Sequence, residues 1–446
     1  MAHNKKFNTR LGVIAATVGS AVGLGNIWRF PYECGQHGGG AFLLAYIVFA
    51  VAIGIPVICA EFVIGRSTGK NVAGAFKALR AAPLWRSVGW IGIITSFLIM
   101  GFYSVVAGWC MDYIWQSLTG FGGVATEAAF HERFDEFSSD VWRPLGWTAL
   151  FLVANFWVIS RGVQKGIERI SSVLMPLLFI ILAVFCVYAL TLPAAAEGLE
   201  FLLKPDFSQL TPDVLLSALG QAFFSLSVGM GVLITYASYF NRQTPLVRTA
   251  TVTTALDTLV AVMAGVIIFP ACFSFGEAPA AGPRLVFEVL PTVFMSMPLG
   301  RLWGALFFIL LFVASLTSTL SLTEVTVAYF EGEHKMGRGK ATAIDAAGVG
   351  VMAALSSLSF GPLAGMTVCG LTFFNLLDFV SSNILMPLGG MLLAVYAGWV
   401  LDRSIIRHQL TPEGVRRVPA YVPLVVFSLK YLAPVAILAI FITGLL

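Results

Sequence analysis

Charge is scarce in this chain. Of its 446 residues only 11% are Asp, Glu, Lys or Arg, less than half the roughly 25% of an ordinary soluble domain. So few charges cannot solvate a globule of this size, which excludes a soluble enzyme and a disordered chain alike. The net charge of +4 is too small to argue for a nucleic-acid partner. Cysteine is sparse too: Cys34, Cys59, Cys110, Cys186, Cys272 and Cys369 show no metal spacing and mostly lie in apolar runs, so they read as packing residues without a disulfide. No His-Glu-x-x-His motif and no catalytic-triad signature is present, and His3, His37, His131, His334 and His408 lie at or outside the edges of apolar runs. An enzyme is therefore not expected. Nor is a signal peptide: Lys5, Lys6 and Arg10 precede an apolar run far longer than an h-region, with no A-x-A-like site after it.

Apolar residues are abundant instead, at 58% of the chain with 36 Phe, 13 Met and 10 Trp and a mean hydropathy of +0.87. Length alone would suggest two or three soluble domains, but this composition points to one polytopic membrane bundle. Eleven stretches can each span a bilayer: 11–35, 41–64, 87–119, 145–160, 167–192, 213–240, 247–275, 298–330, 342–360, 367–400 and 422–444. Several exceed one bilayer thickness, which predicts tilt or breaks. The loop 120–143 carries Glu127, Glu132, Asp135, Glu136 and Asp140 and is expected to hold a short surface helix. With the N-terminus inside, 20 of the 27 basic residues fall on the inner side and five on the outer side. The positive-inside rule then predicts a cytoplasmic N-terminus, an external C-terminus and residence in the cell (inner or plasma) membrane.

Two spans carry glycine where a helix interior avoids it. Span one contains Gly19-Ser20-Ala21-Val22-Gly23-Leu24-Gly25-Asn26, and span six contains Ser225-Leu226-Ser227-Val228-Gly229-Met230-Gly231. Each segment alone is equally consistent with close helix packing through small residues. Together, five spans apart, they match the paired interruptions of an inverted-repeat transporter with its site at the midplane. Unwound backbone there offers carbonyls to a cation and helix N-termini to an anion, which suits a ligand with both charges, such as an amino acid. Arg29, Glu61, Asp257, Glu324 and Asp378 also lie in or at the edge of spans, where an unpaired charge is costly. Span eight is interrupted by Ala314-Ser315-Leu316-Thr317-Ser318-Thr319. Such hydroxyls usually bond the carbonyl one turn back, and they are equally what a hard cation such as Na⁺ requires.

The string Gly23-Leu24-Gly25-Asn26-Ile27-Trp28-Arg29-Phe30-Pro31-Tyr32, followed by Gly38-Gly39-Gly40-Ala41-Phe42, resembles the first-helix signature of the neurotransmitter:sodium symporters. The likeness continues through Gly54-Ile55-Pro56, Glu61, Phe102-Tyr103, the run 220–227, Thr235-Tyr236-Ala237-Ser238-Tyr239 and the span-eight cluster. It implies an all-α polytopic fold of eleven transmembrane helices, a 5+5 inverted repeat with discontinuous helices one and six. The single transporter domain would comprise a first repeat over 1–192, a second over 213–400 and an extra helix at 422–444. The family's common twelfth span has no counterpart in this sequence.

The resemblance also assigns roles. One sodium ion would be held by the Ala21 carbonyl, Asn26, Ser225, Asp257 and the substrate carboxylate. A second would be held by the carbonyls of Gly19, Val22 and Ala314 with the hydroxyls of Thr317 and Ser318. The substrate carboxylate would meet the N–H groups around Leu24 and Gly25 and the Tyr103 hydroxyl, and the amine would meet carbonyls of both breaks. Ser20, Ile99, Tyr103, Phe224, Ser227, Met230, Ser318 and Leu322 would line the side-chain pocket, with Phe224 as its lid. No charge lines that pocket, which points to a hydrophobic or aromatic amino acid. Arg29 and Asp378 match the outer gate, directly or through a water, and Glu61 matches a carboxylate bonded to unwound backbone. Tyr46, Gln221 and Ser225 match a chloride site in which Ala261 replaces a hydroxyl; Asp257 would supply the negative charge itself, so no chloride requirement is expected. Gly166 and Pro176 resemble a motif at which span five unwinds, or else mark a static kink. The inner-gate pair departs from the pattern: Asn4 and Gly332 occupy its two places, and Lys5 or Lys6 with Glu331 or Glu333, near Ser238 and Tyr239, would have to substitute. Glu324 and Lys430 have no assignment beyond packing or snorkelling. The expected function is Na⁺-coupled amino-acid symport by alternating access. An uncoupled channel or carrier and a non-transporting amino-acid receptor are the alternatives on the same fold.

Overall fold

Backbone inside a bilayer has no water to bond, so an apolar stretch can cross only as a helix. In a computed structural model that describes residues 6–123, 127–276, 285–411 and 418–443, helices account for all the named elements; the only bridges are the isolated pairs Gly39–Pro205 and Val368–Leu371. Eight helices are long and apolar enough to cross a membrane: Gly40–Thr68, Pro83–Thr119, Val163–Ala189, Leu246–Phe275, Gly300–Glu333, Arg338–Leu358, Phe373–Val400 and Tyr421–Ile442. A ninth crossing is the pair Arg10–Ala21 and Gly25–Gln36, bent by 54°. The other two expected spans are the 19-residue helix Trp142–Ser160 and the discontinuous pair Pro212–Ser225 and Val232–Ser238. His3, Asn4 and Lys5 lie outside the described residues.

Local chemistry fixes the ends of the broken spans. The Thr9 hydroxyl accepts the Gly12 N–H at 2.9 Å and caps span one, while Thr211 caps the first half of span six ahead of Pro212. Spans three and eight, the longest helices, pack along one another and form the wall against which both breaks open. The acidic stretch after span three does contain a helix, Glu127–Ser139. Aromatic rings hold it down: Trp109 of span three meets Phe134 edge-on at 5.2 Å, and Phe134 stacks on Phe287 at 5.5 Å. Span five is helical from Val163 to Ala189, with a π-type stretch at Val163–Glu168 and Pro176 in its interior, so it is wound across the Gly166–Pro176 interval.

The break in span six requires glycine at one position for two separate reasons. Gly229 has φ +85°, and a Cβ there would lie 2.7 Å from the Met386 carbonyl oxygen and 2.9 Å from the Gly390 nitrogen. Both obstacles are backbone, which cannot rotate away. Gly229→Ala is therefore expected to lower stability by about 2 kcal/mol or more, read as a fall in the thermal midpoint of the purified protein. Gly146→Ala, in a helix with open space around that position, is the control and should hold or raise the midpoint. Equal midpoints for Gly229→Ala and wild type would show that the break is looser than described.

Candidate functional site

Unwinding a helix at mid-membrane releases peptide groups that must find partners, and the partners here come from neighbouring spans. In span six, Gly229 donates its N–H to Glu61 Oε1 at 2.8 Å and Ile234 donates to Oε2 at 3.3 Å, while Ser96 of span three donates to the Met230 carbonyl at 2.9 Å. Glu61 is completely buried, and its charge is met by backbone donors. In span one, the Gly23 N–H bonds Asn26 Oδ1 at 3.0 Å, the Leu24 N–H bonds the Tyr103 hydroxyl at 2.9 Å, and Gln221 donates to the Gly25 carbonyl at 3.2 Å. Ser227, held at φ +52° in a region costly for any residue but glycine, donates to the Ser20 carbonyl at 3.0 Å and so joins the two breaks.

Two oxygen-rich clusters flank the span-one break. On one side, Asn26 donates to Asp257 Oδ1 at 2.7 Å and to Ser225 Oγ at 2.8 Å. Asp257 Oδ2 accepts from Ser225 Oγ at 2.7 Å and from the Tyr46 hydroxyl at 3.1 Å. On the other side, Ser318 Oγ reaches the Val22 carbonyl at 3.0 Å and the Gly19 carbonyl at 3.5 Å, while Thr317 Oγ1 reaches the Ala314 carbonyl at 3.0 Å. All of these side chains are buried. Thr317 thus makes the ordinary bond to its own helix, whereas Ser318 reaches across to span one.

Between the clusters lies a small cavity of about 30 Å³ lined by Ser20, Ala21, Gly23, Gly25, Asn26, Ile99, Tyr103, Phe224, Ser225, Ser227, Met230, Ser318 and Leu322. None of these residues is charged. Gly25 lets the Phe224 ring close over the break, since a Cβ there would lie 2.7 Å from the ring. The Ser20 hydroxyl, buried in the wall of this cavity, has no hydrogen-bond partner among the described residues, so it is open to a polar group of a ligand. An amino acid side chain enters this space only if the walls part, because about 30 Å³ holds little more than water.

At the proposed gates the described residues make these contacts. Arg29 is paired with Glu33 at 3.7 Å, one turn on, and its guanidinium stacks 4.4 Å from the centre of the Phe224 ring. It makes no direct ion pair with Asp378 among the described residues; Asp378 instead accepts from Ser382 at 3.0 Å, and Ser382 lines a second cavity with Arg29 and Phe224. At the basic end, Glu331 pairs with Arg338 at 3.2 Å and Glu333 with Lys77 at 3.8 Å. Lys6 forms neither pair among the described residues; its carbonyl accepts from Gln164 at 2.7 Å, and Lys5 is outside the described residues. Ser238 bonds its own helix, at the Thr235 carbonyl.

Sequence reasoning missed the group at the centre of this end. Glu324, fully buried, receives both terminal nitrogens of Arg338, at 3.2 and 2.5 Å, and the Tyr239 hydroxyl at 2.7 Å. Arg338 also donates to the Ile159 carbonyl at 2.7 Å, so one side chain ties the ends of spans four, eight and nine. Glu168 was missed as well: it accepts from Asn8 N, Thr9 N and Thr9 Oγ1 at 2.9–3.0 Å and fastens the start of span one to span five. Lys430, midway along the last span, lies 4.1 Å from the Trp399 ring centre, a cation–π contact.

Removing one member of a buried ion pair costs about 3–5 kcal/mol because the other charge is left unpaired. Arg338→Gln is expected to lower the thermal midpoint sharply, and Arg338→Gln with Glu324→Gln to restore most of the loss. A single variant as stable as wild type would mean that the pair carries no weight.

Comparison with known proteins agrees with this geometry. The family model of the Sodium:neurotransmitter symporter family matches residues 4–122 and 130–446. An uncharacterized sodium-dependent transporter of Bacillus subtilis, YhdH, is 36% identical over 433 residues, covering 97% of this chain and 96% of that protein. Another, from Haemophilus influenzae, is 35% identical over 450 residues, covering 98% of each. Among solved structures, MhsT in complex with L-phenylalanine superposes with a TM-score of 0.91 at 43% identity, over 99% of both chains. With discontinuous spans one and six, paired oxygen clusters and full-length relatives, the chain belongs to the sodium:neurotransmitter symporter family and is a sodium-dependent membrane transporter.

Proposed function

We propose that this protein is a Na⁺-coupled symporter of a hydrophobic or aromatic L-amino acid, working by alternating access with two sodium ions as co-substrates. The observation that carries the reading is the span-one break, where three consecutive residues touch both oxygen clusters and the cavity: Val22 through Ser318, Gly23 through Asn26 and Leu24 through Tyr103. The Gly19, Val22 and Ala314 carbonyls with Thr317 and Ser318 form one sodium site in this proposal. Ala21, Asn26, Ser225 and Asp257 form the other, completed by the substrate carboxylate. Ion and substrate then stabilise one another reciprocally, which is the thermodynamic content of coupling.

Substrate class follows from the lining. Ile99, Tyr103, Phe224, Met230 and Leu322 offer an apolar wall without a charge for an acidic or basic side chain, and a buried unmatched charge would be heavily penalised. MhsT, with its bound L-phenylalanine, is consistent with that class. In the proposed arrangement residues 1–192 and 213–400 are the two five-helix repeats, 422–444 is an added helix, the N-terminus is cytoplasmic and the C-terminus lies outside the cell membrane. Asp257 removes the need for chloride, because its carboxylate already takes the Tyr46 and Ser225 hydroxyls that would hold the anion.

Two measurements test the proposal. Purified protein in liposomes should accumulate labelled leucine, phenylalanine or a similar amino acid only under an inward Na⁺ gradient, and equally well when chloride is replaced by gluconate. Uptake that ignores the gradient would favour an uncoupled carrier; saturable binding without uptake would favour a receptor. Asp257→Ser should leave the protein folded and either confer chloride dependence on uptake or abolish it. Uptake by Asp257→Ser that continues without chloride would remove Asp257 from the ion balance.

A further inference from the structure

The basic residues of one face are not evenly spread. A cavity of about 1160 Å³ opens beside the ends of spans one, two, six, seven, ten and eleven, and Arg10, Arg66, Arg242, Arg248, Arg407 and His408 line it. No Asp or Glu lines it among the described residues. Arg66 is the framework of this cavity: it donates to the side chain and carbonyl of Gln409 and to the carbonyls of Arg242 and Thr244. That clamp fixes the short helix Arg403–Leu410 against the end of span two and the loop after span six. Arg10, Arg242, Arg248 and Arg407 are exposed, and no ion pair or hydrogen bond engages their guanidinium groups among the described residues. Four such cations around one concavity repel each other, and in the proximity imposed by the clamp they lower the free energy of any anion that enters.

Arginine without lysine is informative about the ligand. A guanidinium presents a planar fork of donors that matches phosphate oxygens two at a time, whereas a lysine acts as a point charge. Leu246, Leu410 and Tyr421 add apolar lining beside the arginines, and the Tyr421 hydroxyl donates to the Leu410 carbonyl at 3.1 Å. The volume exceeds what a bare halide fills. We propose that this cavity is a binding site for a phosphate-bearing anion, the headgroup of an anionic phospholipid or a soluble phosphate, gripped by Arg242, Arg248 and Arg407 and reached by Arg10. Arg10 stands at the start of the short helix that ends at the span-one break. An anion shared with the other three arginines would fasten that helix to the scaffold independently of which amino acid is carried.

Basic faces attract anionic lipid diffusely in any case, so the test must separate a site from a field. Full-length protein in neutral detergent is titrated at fixed ionic strength with dihexanoyl phosphatidylglycerol, dihexanoyl phosphatidylcholine or inorganic phosphate. The proposal expects saturable binding of phosphatidylglycerol and none of phosphatidylcholine. Affinity should fall about fivefold for Arg10→Gln and about a hundredfold for Arg242→Gln/Arg248→Gln/Arg407→Gln. The equally charged control Lys165→Gln/Arg169→Gln/Lys340→Gln, exposed on the same face, should bind as wild type. Unchanged thermal midpoints in the variants establish that folding is intact. Inorganic phosphate that binds as tightly as the lipid, with the same loss in the arginine triple, would identify the source as soluble and keep the site. Absence of saturable binding by either anion, or an equal loss in the control triple, would overturn it.

Discussion

A peptide group freed from its helix at the middle of a bilayer costs several kcal/mol unless something bonds it, and the architecture is arranged around meeting that demand at two places. Span six interrupts its helix between Ser225 and Val232, and Glu61 answers from span two with a carboxylate that takes the Gly229 and Ile234 N–H groups. Span one interrupts between Ala21 and Gly25, and its partners arrive from spans three, six and eight: Tyr103, Gln221, Ser227 and Ser318. The packing of those spans is therefore not a passive shell. If spans three and eight shifted by a few ångströms, the break in span one would lose its bonds to Tyr103 and Ser318.

The two breaks are answered in different currencies. Glu61 is wholly buried and its carboxyl oxygens accept from two backbone N–H groups of the span-six break. Span one depends on neutral hydroxyls and amides, each worth about 0.5–1.5 kcal/mol net, and every one of them could exchange its partner for an ion or a ligand at small cost. Modest exchange energies allow a bound ligand to shift a conformational population by differential affinity. The buried ion pair of Glu324 with Arg338, which also takes the Tyr239 hydroxyl after span six, and the grip of Glu168 on Asn8 and Thr9 ahead of span one fasten the basic end. Movement at the basic end thus requires breaking charge-assisted bonds, and movement at the break requires only trading neutral ones.

Much of this was legible in the sequence because membrane helices are written as contiguous apolar runs and because glycine pairs stand out within them. Gly23-x-Gly25 and Gly229-x-Gly231 marked the breaks, and the span-eight hydroxyls marked one cluster. Arg29 illustrates a signal that was present and passed over: Glu33 lies four residues on along a helix, the spacing of an ordinary i,i+4 pair. Glu324 with Arg338 is a different case. The two lie on successive helices joined by a tight turn, and only the angle between spans eight and nine brings both guanidinium nitrogens onto the carboxylate. No periodicity encodes that angle. Glu168 was hidden for the same reason, since its partners are backbone groups some 160 positions earlier.

The carboxylate of Asp257 joins these strands of argument. Its two oxygens order three side chains at once: Asn26 on one, Ser225 and Tyr46 on the other. Asn26 in turn fixes the Gly23 N–H, so the charge on span seven reaches the span-one break through a single amide. Under the proposed function, a cation arriving between Asn26, Ser225 and Asp257 would be attracted by the carboxylate and would also draw on the bonds that hold the break closed. The same event that neutralises Asp257 would loosen or re-form the geometry presented to a substrate carboxylate at Leu24. Linkage of this kind needs no long pathway through the protein; it needs one short segment of backbone whose partners are also the ligands' partners, and residues 22–26 are that segment.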